Sequence, residues 1–222
     1  MSADEHQLLV EMITSGPFME NCFIAADAST RKGIVIDPGD AEQRIVETAR
    51  RIDVEVTEIV ATHGHIDHAG AVAPLKRILG VPFAVHPDDR EWLQRMPHQA
   101  VMFGLPEPEV PEIDRELAHG DVVRIGEIEA RVLHTPGHSA GGVSLLVEAH
   151  KTVFVGDTLF AGSIGRTDLP GGSFDTLIDA IREQLLSLDD DVTVHCGHGP
   201  STRIGAERRT NPFLQPGARL MF

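Results

Sequence analysis

Residues 62–68 read Thr-His-Gly-His-Ile-Asp-His, and this run constrains the chain more than any other stretch. Three imidazoles and one carboxylate (His63, His65, Asp67 and His68) fall within six residues. Neutral imidazole nitrogens and carboxylate oxygens are the donors that zinc and other borderline divalent metals accept. The run starts where a short apolar stretch, residues 56–61, ends. A buried strand leading into a ligand-bearing loop is expected there. Gly64 lets such a loop turn tightly, and the strand holds the ligands more rigidly than a free loop would.

Three later positions repeat this setting. His138 sits in Thr-Pro-Gly-His-Ser (135–139), Asp157 in Val-Phe-Val-Gly-Asp-Thr (153–158), and His198 in Cys-Gly-His-Gly-Pro (196–200). A lone histidine after a strand is more often structural, so each is weak by itself. Their recurrence in one context points to a shared metal centre. Cys22 and Cys196 are the two cysteines. Two cysteines make no disulfide framework, and free thiols are expected. Cys196 reads as a small buried residue at a strand end, since imidazole and carboxylate donors already suffice, and Cys22 reads as core.

The 222 residues are 41% hydrophobic and 24% charged, which fits a globular chain with one substantial core. A single domain over 1–222 is expected, with 200–222 as a C-terminal tail. No apolar stretch nears the roughly 20 residues that span a bilayer. The acidic start, Met-Ser-Ala-Asp-Glu-His, lacks the basic region and apolar run of a signal peptide. A cytoplasmic protein without membrane partners is the expectation. The formal net charge of −15 comes without a basic stripe, so nucleic acid is not an expected partner either. A small molecule is.

Apolar patterning predicts strands over 7–13, 21–26, 33–36, 56–61 and 82–85, with helices over 40–52 and from 67 or 68 to 79. Asp40 is the expected N-cap of the first helix, and Gly80 the C-terminal cap of the second. A short helix is expected from His86-Pro87 through Trp92, followed by a long loop over 97–111, rich in Pro, Met and Gly and with room for a short helix of its own, that suits a lid or a surface excursion. Strands follow over 122–125, 128–134, 142–147 and 152–155. An amphipathic helix over 173–188, capped by Ser173, precedes a last strand over 192–195, and a further helix is expected near 204–209. Two halves of this kind pack economically as two sheets covered by helices on both outer faces.

The pattern His63-x-His65-x-Asp67-His68, then His138, Asp157 and His198, resembles the metallo-β-lactamase superfamily over nearly the whole chain. The resemblance implies an α/β fold, the αββα four-layer sandwich of two mixed β-sheets flanked by helices. It implies that His63, His65 and His138 bind one divalent metal, that Asp67, His68 and His198 bind a second, and that Asp157 bridges them. Zinc is the first expectation for the two metals, with iron and manganese accepted by the same donors. A carboxylate at 157, the segments Gly-Asp-Thr-Leu-Phe (156–160) and Gly-Arg-Thr-Asp-Leu-Pro-Gly-Gly (165–172), and Glu-Arg-Arg-Thr-Asn-Pro-Phe-Leu (207–214) are similar to compact, single-domain glyoxalase II-like hydrolases.

The implied activity is cleavage of a thioester of a low-molecular-weight thiol, lactoylglutathione-like, by a hydroxide bridging the metals. Asp67 and Asp157 take the catalytic roles, Asp67 chiefly as a ligand. Asp37 and Thr62 are candidates for orienting the imidazoles, although Asp37 equally suits capping the Pro38-Gly39 turn. Arg166 is the candidate contact to an anionic substrate, the alternative being a salt bridge with Asp168. The glutathione site itself carries over less well. In that family it draws on tyrosines and a C-terminal helical domain, and this chain has no tyrosine and stops at Phe222. Persulfide dioxygenases also resemble the chain through 165–168, and would hold one iron with His63, His138 and Asp157. Gly197-His198-Gly199-Pro200 looks instead like a hydrolase. A non-catalytic binding member is the other alternative, and such members typically lose ligands that are all present here.

Overall fold

A computed structural model describes residues 6–215. The alternation of apolar side chains explains its layers. In the strand Glu20–Asp27, Cys22, Ile24 and Ala26 face one way and Phe23 and Ala25 the other, and all are buried. A strand buried on both faces must lie between two other layers.

The strands are β1 (Leu8–Ser15), β2 (Glu20–Asp27), β3 (Lys32–Ile36), β4 (Glu55–Val60), β5 (Phe83–Val85), β6 (Arg115–Glu116), β7 (Val122–Ile125), β8 (Ile128–His134), β9 (Val143–Val147), β10 (Thr152–Gly156), β11 (Leu159–Phe160), β12 (Ser163–Ile164), β13 (Thr193–Cys196) and β14 (Thr202–Arg203). The helices are α1 (Glu42–Arg51), α2 (Ile66–Ala69), α3 (Val72–Leu79), α4 (Arg90–Phe103), α5 (Phe174–Ala180) and α6 (Ile204–Thr210). One mixed sheet has the order β1-β2-β3-β4-β5-β6 and the other β14-β13-β10-β9-β8-β7, while β11 and β12 form a small hairpin.

Three apolar clusters fill the spaces between layers. Ile45, Val72, Leu75, Leu93 and Met96 of the helices pack on Cys22, Ile24, Val35 and Ile59 of the first sheet. Phe23, Ile34, Ile36 and Val60 meet Ile125, Val132, Leu145 and Phe154 between the sheets. Leu177, Ile181, Leu185 and Ile204 cover Leu146, Val153, Val155 and Val194 on the far side. The result is the expected four-layer αββα sandwich with two mixed sheets. Among the described residues no helix is long and apolar enough to cross a membrane.

Several local expectations need correction. The short helix after His86-Pro87 and the loop from 97 do not separate. Pro87–Asp89 is a 3-10 turn, and α4 then runs unbroken to Phe103 with Pro97 inside it. An interior proline costs about 3 kcal/mol. Burial of Leu93, Met96 and Ala100 on one stripe outweighs this, at about 1.5–3 kcal/mol for each large side chain. The first helix starts two residues late. The Asp40 carboxylate accepts from the Ala41 N–H at 2.6 Å, and Ala41 adopts a left-handed conformation (φ 60°). The second helix is broken into α2 and α3, because the Ala71 N–H leaves the helix to donate to the Pro38 carbonyl at 3.0 Å. The helix capped by Ser173 holds α geometry only to Ala180, and Ile181–Leu185 continue it as a π turn. The part of the tail beyond Gln215, and the N-terminal residues Met1–Glu5, lie outside the described residues.

Strand direction brings the marked loops together. β3 and β4 run parallel, so Asp37 and the 61–68 segment leave the same edge of the first sheet. In the second sheet β10 is parallel to β13, and β8 is antiparallel to β9, which is antiparallel to β10. The loops after β8, β10 and β13 therefore open at one edge. Backbone bonds from Val143 N to Thr62 O (2.9 Å) and from Asn21 N to Gly197 O (2.7 Å) join the two edges.

Candidate metal centre

At that joined edge the seven sequence-predicted donors converge. His63, His65 and His138 form one group, and Asp67, His68 and His198 another; within each group the candidate donor atoms lie within 4.8 Å of one another. Asp157 stands between them. Its carboxylate is 3.3 Å from His68 Nε2 and 3.6 Å from both His138 Nε2 and His198 Nε2. His198 Nε2 is 3.3 Å from the Asp67 carboxylate.

The rings are held from behind. His68 Nδ1 donates to Asp37 at 3.0 Å, His138 Nδ1 to the Arg166 carbonyl at 2.8 Å, and His198 Nδ1 to the Phe18 carbonyl at 3.1 Å. Thr62 donates its hydroxyl proton to Asp37 at 2.7 Å and accepts from His63 Nδ1 at 3.1 Å. Asp37 thus orients two imidazoles, one directly and one through Thr62, rather than capping the following turn. With a proton on Nδ1, these four rings can offer Nε2 as a lone-pair donor, on His68 once a metal takes the place of the proton that its carboxylate neighbours favour.

That arrangement leaves a deficit which a cation fits. His63 Nε2, His68 Nε2 and Asp157 Oδ1 are buried and have no hydrogen-bond partner. Native interiors rarely leave such groups unpaired. Burial, helped by the neighbouring His68, His65 and His138, holds His63 well below the usual imidazole range. Burial and His138 push His65 down to about 3. Both are therefore neutral at physiological pH, the form in which an imidazole can accept a metal. Burial alone would raise the Asp157 carboxyl, but His68, His138 and His198 outweigh it and keep Asp157 ionised. Burial would depress His68, yet Asp157, Asp67 and Asp37 raise it well above the ordinary value. These carboxylates hold positive charge at the place where a metal would supply it.

Arg166 contributes its backbone more than its side chain. Its guanidinium donates twice to Asp168, at 2.8 and 2.7 Å, and both side chains are exposed. The salt-bridge alternative is the arrangement observed. Cys196 is buried and outside the donor groups, with its thiol directed at the Val194 carbonyl.

Three supporting residues escaped sequence reading. Asp89, fully buried, accepts from Gly64 N (2.9 Å), Ser139 Oγ (2.7 Å) and Gly141 N (2.7 Å). It ties the His63–His65 loop to the His138 loop. Asn21 donates to the carbonyls of Cys196 (3.1 Å) and Gly199 (2.8 Å) and so frames His198. The Trp92 ring stands edge-on to His65, with centroids 4.3 Å apart. No spacing links these residues to the histidines along the chain. Gly197 has a steric role: a Cβ there would lie 2.3 Å from Asp157 Oδ1 and 2.7 Å from His68 Cε1.

Comparison with known proteins agrees with this geometry. The sequence profile of the Metallo-beta-lactamase superfamily matches residues 15–198. Hydroxyacylglutathione hydrolase GloC of Haemophilus influenzae is 37% identical over 207 residues, covering 92% of this chain and 97% of its own. The crystal structure of BLEG-1 B3 metallo-beta-lactamase superposes with a TM-score of 0.87 at 33% identity, over 93% of this chain and all of that one. TTHA1623, crystallised in a di-iron-bound form, gives a TM-score of 0.83 at 39% identity, over 92% of this chain and all of that one. The paired His/Asp groups at the open edge of an αββα sandwich and the profile match over 15–198 together place this chain in the metallo-beta-lactamase superfamily.

Proposed function

We propose that this protein is a metal-dependent thioesterase of the glyoxalase II-like kind, hydrolysing a lactoylglutathione-like thioester of a low-molecular-weight thiol. The observation that carries the reading is Asp157, a largely buried carboxylate set between two three-residue donor groups. The similarity to a hydroxyacylglutathione hydrolase supports the thioester, and the superfamily is generally hydrolytic. Two divalent cations at this site would supply a nucleophile from water near neutral pH and polarise the acyl carbonyl. Zinc remains the first candidate, and the di-iron form of a similar protein makes iron the leading alternative.

The chain's own residues do the rest. His63, His65 and His138 would hold one cation, Asp67, His68 and His198 the other, and Asp157 both. Asp37, Thr62 and the Arg166 and Phe18 carbonyls fix the ring orientations of His63, His68, His138 and His198. Burial would raise the Asp67 carboxyl, but His68 and His198 keep it ionised, so Asp67 serves as a ligand; as a relay it would first take a proton released by the attacking water and then give that proton to the departing thiolate.

Elemental analysis of the purified protein should find about two metals per chain, and lactoylglutathione should be cleaved. Asp157→Ala should lose both the second metal and the activity. One tightly held iron with O₂ uptake on glutathione persulfide would overturn the hydrolase reading in favour of a dioxygenase. Faster hydrolysis of a β-lactam than of any thioester would overturn the substrate class alone.

A further inference from the structure

Apolar side chains surround the metal centre. Trp92 stands edge-on to His65, and Phe160 stands edge-on to His198 with centroids 6.1 Å apart. The Phe18 carbonyl holds His198, and the Phe18 ring meets Phe103 edge-on at 5.0 Å. Trp92 and Phe103 both belong to α4, which is tied to α2 by the Ile66 N–H donating to Gln99 at 3.4 Å. Phe103 is 55% exposed and its neighbour Met102 70%. Met19, next to Phe18, is 63% exposed and holds a left-handed backbone (φ 54°). A strained backbone at a large residue and aromatic surface left in water are typical of ligand sites.

A cavity of about 230 Å³ continues this surface between the turn after β1, the start of α2 and the loop after α4. Phe18, Ile66, Pro74 and Leu105 wall it, and Asp67 joins it to the metal centre. Among the described residues no lysine or arginine lines it, and its charged lining is acidic throughout. Arg166 is no free cation either, since Asp168 holds both arms of its guanidinium. An anionic group would meet repulsion here and no counter-charge, whereas a hydrocarbon chain meets matching walls.

We infer that this cavity and the Phe18–Phe103 pair hold an uncharged hydrocarbon chain on the thiol portion of the substrate, so that the protein prefers thioesters of apolar thiols to those of anionic ones. The inference rests on the thioesterase reading and narrows its substrate class. Asp67, at the inner end of the cavity, is the residue placed to return a proton to the departing thiolate, so the thiol portion is the part that lies there. Lactoylglutathione, with its anionic thiol portion, is then cleaved more slowly than a lactoyl alkyl thioester.

The test compares lactoyl thioesters of ethanethiol, 1-butanethiol, 1-hexanethiol and 3-mercaptopropionate on the metal-loaded protein. These alkanethiols leave with equal basicity, so differences among them read contacts with the chain. kcat/KM should rise by about two- to fourfold for each added CH₂, fourfold being full burial. The butyl ester should exceed the carboxylate ester of similar length by about tenfold or more. Phe103→Ala, at an exposed helix end, should lower the hexyl-to-ethyl ratio by about threefold or more. Leu105→Lys should raise the carboxylate ester relative to the butyl ester by about threefold or more, a gain that a damaged fold cannot produce. Calorimetry with the unreactive thioether analogues of the ethyl and hexyl esters should show the same preference without turnover. If no thioester is cleaved, but the hexyl thioether binds better and Phe103→Ala lowers the difference, the thioesterase reading fails and the cavity assignment stands. If the esters are cleaved with a gain below about twofold per CH₂, or the carboxylate ester equals the butyl ester, the assignment fails and the thioesterase reading stands. The assignment fails as well if Phe103→Ala keeps the wild-type ratio or Leu105→Lys leaves the carboxylate ester no better.

Discussion

Replacing Asp89 by asparagine tests whether the first donor group is pre-built by the protein. Its two oxygens accept three hydrogen bonds: two from backbone N–H groups, of Gly64 and Gly141, and one from the Ser139 hydroxyl. Asn keeps the shape but turns one acceptor into an NH₂ group facing a donor. At least one buried donor then loses its partner. A hydrogen bond to a charged group contributes about 1.5–3 kcal/mol, and an unsatisfied buried donor costs about 1–3 kcal/mol. The loss expected for Asp89→Asn is therefore about 2–4 kcal/mol, read in urea as a lower midpoint with an unchanged slope. Because Gly64 lies between His63 and His65, and Ser139 follows His138, the damage should be asymmetric. Competition with a chelator should show about tenfold to hundredfold weaker binding at the His63/His65/His138 site. The Asp67/His68/His198 site should change less, since Asp37, Asn21 and the Phe18 carbonyl frame it independently. A wild-type urea midpoint, or equal weakening of both sites, would refute the reasoning.

Gly197→Ala should destabilise the fold by about 1–3 kcal/mol through overpacking and lower metal content, because its Cβ would press on Asp157 and His68; full metal retention by elemental analysis would contradict this. Arg166→Ala should shift thermal stability by less than about 1 kcal/mol, as for an exposed ion pair, and leave His138 anchored through the backbone; a marked loss of metal would argue against that division of roles. Acid stability should depend on Asp27. Burial alone would raise this carboxyl, but the N–H groups of Glu127 and Ser29, with Thr30, bring it down to about 2 from an ordinary 3.8. The folded value lies below the unfolded one, so the stabilisation is complete above about pH 4 and disappears as the pH falls towards 2. Asp27→Asn should flatten the stability profile across that window by about 1–2 kcal/mol, and an unaltered acid profile would count against the assignment.

The donor set was legible because metal chemistry limits the residue types, and because each of the four donor-bearing segments follows an apolar strand and contains a glycine. The long strands and the sandwich followed from two-fold alternation and from resemblance. The misread elements have local causes. Pro97 and the Pro, Met and Gly content of 97–111 marked 97–103 as loop, yet three buried side chains at helical spacing hold α4 together. Two-residue strands such as β6, β11, β12 and β14 are too short to carry a period.

Residue type and order alone determined that imidazole and carboxylate donors leave the ends of strands, and that two groups of them are available. Only the tertiary structure decided that Asp157 stands between the groups, that Asp89 ties the Gly64 loop to the distant Ser139–Gly141 loop, and that Arg166 spends its side chain on Asp168 while its carbonyl orients His138. It also decided that Glu20 is buried without a partner beside the site. These relations depend on contacts between segments far apart in the chain. Strand pairing and sheet packing set them, and a local pattern of residue types does not encode them.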